Sequence, residues 1–170
     1  FQKYGLTKKD FAKACVERPS ILNLKPETLK QKIFEVVKIF ENDGLNVKDY
    51  IQMSIKNTQF FTQKPETMGK NFRTFVNMHE NDGLTSKEYM KSCIRFPALL
   101  SMSPETLDKN IEKFNQKYGF TNTETIKIFL KEPSLIVMDL NTIDKNLHTI
   151  AAEYKKEGLS YEKYIKLCKK

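Results

Sequence analysis

The sequence has little with which to do covalent chemistry. It holds two histidines, His79 and His148, and three cysteines, Cys15, Cys93 and Cys168. Sequence supplies neither histidine with a nucleophile or carboxylate partner. No phosphate loop, nucleotide fingerprint, HExxH motif or metal-ligand spacing occurs. A non-enzymatic protein without cofactor, metal or small-molecule substrate is expected. No apolar run approaches the roughly 18 residues of a membrane span, so no membrane partner is expected. No signal peptide, linker or low-complexity tail is visible. Arginine is scarce too. Arg18, Arg73 and Arg95 are its three occurrences, so the net charge of +8 is mostly lysine.

What the sequence has is repetition. Gly5-Leu6-Thr7 returns as Gly44-Leu45-Asn46, Gly83-Leu84-Thr85, Gly119-Phe120-Thr121 and Gly158-Leu159-Ser160. Successive glycines lie 39, 39, 36 and 39 residues apart. A fixed period of this length marks stacked repeats. We divide residues 1–170 as a single repeat domain: 1–4 the tail of a preceding unit, 5–43, 44–82, 83–118 and 119–157 four full units, and 158–170 part of a fifth. The expected fold is all-α, an α-solenoid of helical hairpins of about 36–39 residues, cut from or continuing into a longer array.

Each unit reads as helix, tight turn, helix. Thr7, Asn46, Thr85, Thr121 and Ser160 are N-cap residues, with Asp10, Asp49, Glu88 and Glu124 three places on in capping-box register. Pro19, Pro97 and Pro133 stop the first helix, and Thr58 stands at that place in the second unit. Short apolar pairs follow: Ile21-Leu22, Phe60-Phe61, Leu99-Leu100 and Leu135-Ile136. Pro26, Pro65 and Pro104 then open the second helix, and in the fourth unit the start slips to Asn141. Its apolar stripe is Leu29, Ile33, Val36, Phe40; Met68, Phe72, Phe75, His79; Leu107, Ile111, Phe114, Tyr118; and Ile143, Leu147, Ile150, Tyr154. Spacing of four, three and four is one helical face. His79 therefore stands in for an aromatic at a half-buried place, and His148 falls at a variable surface position.

The cysteines all fall ten residues after a glycine, where Ser54 and Phe129 stand in the other units. Cys15 and Cys93 are two layers apart. At roughly 8–10 Å per layer they are out of disulfide reach. They are expected to be buried, inert thiols in an intracellular, reducing compartment: a bacterial cytoplasm, an organelle matrix or a host-cell interior.

Cations recur on the first helices: Lys9 and Lys13, Lys48 and Lys56, Lys87, Lys91 and Arg95, Lys127 and Lys131, then Lys166 and Lys170. Four-residue spacing puts them on one helical face, and stacking would align those faces into a ribbon. Glu17, Gln52, Thr123 and Glu162 interrupt the series. A polyanion footprint and a lysine-rich codon bias both fit this charge. A second set, Lys32, Lys70, Lys109 and Lys145, opens the second helices beside Glu27, Glu66 and Glu105, which already satisfy the helix dipole. Phe11, Tyr50, Tyr89 and Tyr164 share one first-helix place and read as core.

Leu84-Thr85, Pro97-Ala98-Leu99-Leu100, Leu107 and the closing glycine resemble the helical repeat of the mitochondrial transcription termination factor family. An organellar protein and a bacterial relative both fit. The Gly-Leu-Thr opening is also found in transcription-activator-like effectors. They need a glycine-containing base-reading loop where this chain has Arg18-Pro19 or Phe96-Pro97. The first resemblance implies an array of helix layers gripping nucleic acid, DNA or RNA, mainly through phosphates, with the eleven ribbon cations as the contacts. The alternative is a scaffold that presents its concave face to a protein partner.

Overall fold

The computed structural model describes residues 4–158 and 160–168, with positions 164, 166 and 168 given by their backbone only. Helices follow one another in pairs, and no strand occurs among the described residues. The pairs are α1 (Lys8–Glu17) with α2 (Pro26–Phe40), and α3 (Val47–Lys56) with α4 (Pro65–Met78). Next come α5 (Ser86–Arg95), the one-turn α6 (Ala98–Ser101) and α7 (Pro104–Tyr118). The chain continues through α8 (Asn122–Lys131) and α9 (Leu140–Glu153) to α10 (Tyr161–Cys168). The solenoid arises because like helices stack: α1, α3, α5 and α8 in one row, and α2, α4 and α7 in another.

Each first helix starts where a side-chain oxygen can take an otherwise orphaned N–H. Thr7, Asn46, Thr85, Thr121 and Ser160 accept the backbone N–H three residues on at 3.0–3.2 Å. The acid closes a full capping box in two of them, Asp10 at Thr7 and Glu124 at Thr121. In the other two the acid takes the cap side chain instead, Asp49 from Asn46 Nδ2 and Glu88 from Thr85 Oγ1.

The first helices end alike whether or not proline follows. Arg18, Asn57, Phe96 and Glu132 all adopt φ between −128° and −139°. Where Thr58 replaces proline, Asn57 Oδ1 accepts the Gln59 N–H and holds the turn. The apolar pair then makes a 3₁₀ turn at Pro19–Asn23, Thr58–Phe61 and Pro133–Ile136, and α6 in the third case. Ser103 caps α7, while Lys25 and Lys64 contribute no side-chain cap. The fourth second helix starts at Leu140 rather than Asn141. Asp139 supplies the cap by accepting the Asn141 N–H at 2.9 Å, which leaves Asp144 free for other partners.

The second-helix stripe is the core. From Leu29 to Tyr118 all twelve of its residues are at most 7% exposed. The stripe loosens in α9: Leu147 and Ile150 are half-buried and Tyr154 is exposed. His79 lies deeper than its sequence place suggests. It is 1% exposed, packs on Phe75 with ring centroids 4.8 Å apart, and lies between Asp82 at 2.9 Å and Asp108 at 3.3 Å. Asp82 is the hydrogen-bond partner of Nδ1, whereas Nε2 faces the Asp108 carboxylate of the next layer without forming a hydrogen bond.

The 36-residue spacing also has a structural origin. Elsewhere a 3₁₀ turn separates the second helix from the glycine: Glu41–Asp43, Glu80–Asp82 and Lys155–Glu157. After α7 that turn is missing, and Gly119 follows Tyr118 directly at φ +68°. Glycine meets this left-handed conformation without the steric cost a Cβ brings.

Candidate nucleic-acid interface

The capping geometry engages one acid on each of α1, α3, α5 and α8. Asp10, Asp49, Glu88 and Glu124 are drawn into the N-terminal caps. Lys9, Lys48 and Lys87 share those first turns, and the later turns carry the remaining cations, with Glu17 an acid at the end of α1. Lys9, Lys13, Lys48, Lys56, Lys87, Lys91, Arg95, Lys127 and Lys131 are all exposed. Lys13 pairs with Glu17 at 3.7 Å, with both side chains in solvent, a contact worth at most about 1 kcal/mol. Lys166 and Lys170 lie outside the described side chains.

Arg95 differs from the lysines. It donates from Nη1 to the Lys131 carbonyl at 3.0 Å and from Nη2 to the Leu130 carbonyl. Those are orphan acceptors at the C-terminus of α8, so the guanidinium ties the ends of α5 and α8 together. The two helices therefore run parallel, with their C-termini adjacent. Between them runs a groove of about 720 Å³, with Ile94, Ile128 and Leu130 on its walls.

The second basic set does not share one environment. Lys70, Lys109 and Lys145 are exposed. Lys32 falls one place further along its unit and is half-buried, with Nζ 3.4 Å from the Phe61 carbonyl. Desolvation lowers its pKa, against the attraction of Glu66 and Glu35. Asn110 holds the equivalent place in α7 and donates to the Ile136 carbonyl at 2.8 Å. One helix face thus fastens to the apolar turn of the next layer. Sequence reading missed this, although aligning Lys32 with Asn110 would have shown a recurrent donor.

Of the aromatic row, Tyr50 and Tyr89 are core at no more than 4% exposure, Phe11 is half-buried, and the Tyr164 side chain lies outside the described residues. Tyr50 donates to the Phe60 carbonyl at 2.9 Å. Cys93 is fully buried, and that burial pushes its thiol pKa well up. Cys15 is not equally protected. It is half-buried, because no layer among the described residues covers α1 as α3 covers α5. Both thiols are free. Among the described residues no group of His, Cys, Asp and Glu could hold a metal, and no helix is long and apolar enough to cross a membrane.

No curated protein matches the chain. Its stacked helix pairs, with a proline- or asparagine-stopped first helix, a short apolar turn and a glycine-ended second helix, agree with a family-level match. The mTERF family pattern covers residues 1–160, and the chain belongs to the mTERF family.

Proposed function

We propose that this chain holds nucleic acid by its phosphates along the exposed faces of α1, α3, α5 and α8. Members of the family are in general non-enzymatic helical-repeat factors that bind nucleic acid. The observation that carries the finer reading is the placement of charge. One acid per helix is engaged in a cap, Glu17 meets one ribbon cation, and the cations are left in solvent on helices that stack in order. Lys9, Lys13, Lys48, Lys56, Lys87, Lys91, Lys127 and Lys131 make the contacts, and Lys166 and Lys170 continue the series. Arg95 serves mainly to fix α8 beside α5.

Units 5–43, 44–82, 83–118 and 119–157, with 158–170 opening a fifth, set the spacing. Packed helices lie about 8–10 Å apart, and duplex DNA rises about 3.4 Å per base pair. Each layer therefore spans two to three base steps, with two lysines to meet them. Such contacts position a backbone and carry no sequence information by themselves.

The test is charge reversal at Lys87, Lys91 and Lys127 together, sparing Arg95. Affinity is titrated against duplex DNA, single-stranded DNA and RNA of equal length. The reading expects at least about 30-fold weaker binding with an unchanged melting temperature. Unchanged affinity in the folded triple variant contradicts it.

A further inference from the structure

The groove between α5 and α8 is not built for phosphates alone. Its walls are aliphatic, Ile94, Ile128 and Leu130, and no aromatic ring lines it on which a base could stack. Its two ends carry opposite charge. Glu88 and Glu124 stand in the first turns of the two helices, and Lys91, Arg95, Lys127 and Lys131 stand towards their C-termini. Because Arg95 holds those C-termini together, like charges from the two helices fall at the same end.

We propose that this groove is a docking site for an amphipathic helix of a protein partner, acidic in its N-terminal half and basic in its last turn. The helix-in-groove mode matches the shape, a slot beside two ten-residue helices each about 15 Å long. Charge sets the direction. The partner's acidic N-terminal half lies on Lys91, Lys127 and Lys131, and its basic C-terminal turn lies on Glu88 and Glu124. The partner therefore runs antiparallel to α5 and α8, which also opposes the helix dipoles favourably. Apolar side chains on one face of the partner cover Ile94 and Ile128, which are half-buried in the free chain. This goes beyond the phosphate reading and does not depend on it, although the two ligands share three lysines.

The experiment uses the whole chain and three labelled 16-residue peptides, each held helical by a staple on the far face. The first carries Glu in its first two turns, Lys in its last turn and a leucine stripe. The second exchanges Glu and Lys, and the third keeps the charges but scatters the leucines. The first should bind at least tenfold more tightly than either of the others. Ile94→Ser with Ile128→Ser should cut that binding tenfold. The exposed pair Lys127→Ala and Lys131→Ala, which leaves the core untouched, should erase the preference for the first peptide over the second. Equal binding of the first two peptides overturns the proposal, as does full binding by both variants. Nucleic-acid affinity is measured on the same samples. Peptide binding without nucleic-acid binding contradicts only the phosphate reading, and the reverse result contradicts only the groove.

Discussion

Arg73 in α4 clasps Asp43, in the turn that follows α2, with Nη1 at 2.9 Å and Nη2 at 2.5 Å from the two carboxylate oxygens. Asp43 is 7% exposed and Arg73 43%. The guanidinium also donates to the Ile39 carbonyl at 3.3 Å and to Ser86 Oγ at 3.4 Å, and it lies over the Phe72 ring at 5.1 Å. One side chain thus joins three successive helix pairs. The paired carboxylate raises the Arg73 pKa further, so the guanidinium stays charged.

Removing Arg73 leaves Asp43 buried and unpaired. Charge-assisted bonds of this kind contribute roughly 1.5–3 kcal/mol, and partial exposure of Arg73 favours the lower half of that range. Arg73→Met should therefore cost about 2 kcal/mol in urea unfolding. Asp43→Asn combined with Arg73→Met should cost less than the two single changes added together. Strict additivity in that double-mutant cycle would show that the clasp is not the coupled unit described here.

A second cluster predicts an acid-sensitive end of the array. Asp144 accepts from Tyr161 at 2.9 Å and pairs with Lys117 at 3.3 Å, joining α7, α9 and α10. The Tyr161 hydrogen bond, then Lys117, hold the Asp144 carboxyl below its ordinary value of 3.8. The same environment, burial first, pushes the Tyr161 hydroxyl up to about 12. A carboxyl whose pKa is depressed by folding stabilises the folded state fully above the unfolded value. That contribution is lost as pH falls below it. Hydrogen exchange in α10 should quicken as pH drops below 3.8, beyond the intrinsic pH trend, while α4 stays protected. Tyr161→Phe should remove most of the difference. Equal acid responses in α4 and α10 would contradict this.

The cysteines offer a third check. Cys93 is fully buried with a raised pKa, and Cys15 is half-buried on α1. Thiolate availability and access together set reactivity. Iodoacetamide should modify Cys15 under native conditions and reach Cys93 only as the chain unfolds, as read by peptide mass mapping. Similar native rates at the two sites would contradict the packing described for α5.

Much of the fold was legible because local signals repeat. Thr7, Asn46, Thr85 and Thr121 cap as their types require, and the stripe from Leu29 to Tyr118 is buried throughout. Contacts between layers were not legible. Arg73 and Asp43 are 30 residues apart, and although Asp43 recurs as Asp82, Arg73 has no counterpart in the other units, so no periodic comparison pairs them. His79 occupies an aromatic slot, yet its two carboxylate neighbours come from different helix pairs. Cys15 shares a sequence place with Cys93 but not its surroundings, since burial depends on what stacks above. Arg95 fitted the lysine series by spacing, and only the position of the α8 C-terminus shows its separate role. The basic series itself was visible in the sequence. That one acid per helix is engaged in a cap could be anticipated from capping-box register.

The most direct test of the central claim is the salt dependence of duplex DNA binding. If the eight lysines each neutralise one phosphate, the logarithm of the association constant falls with that of salt at a slope of about −7. Raising salt from 50 to 200 mM should then weaken binding by roughly four orders of magnitude. The Lys87, Lys91 and Lys127 charge-reversal variant should show a slope shallower by about three. A slope near zero for the unaltered chain, or the same slope in the variant, would contradict phosphate binding along the first-helix ribbon.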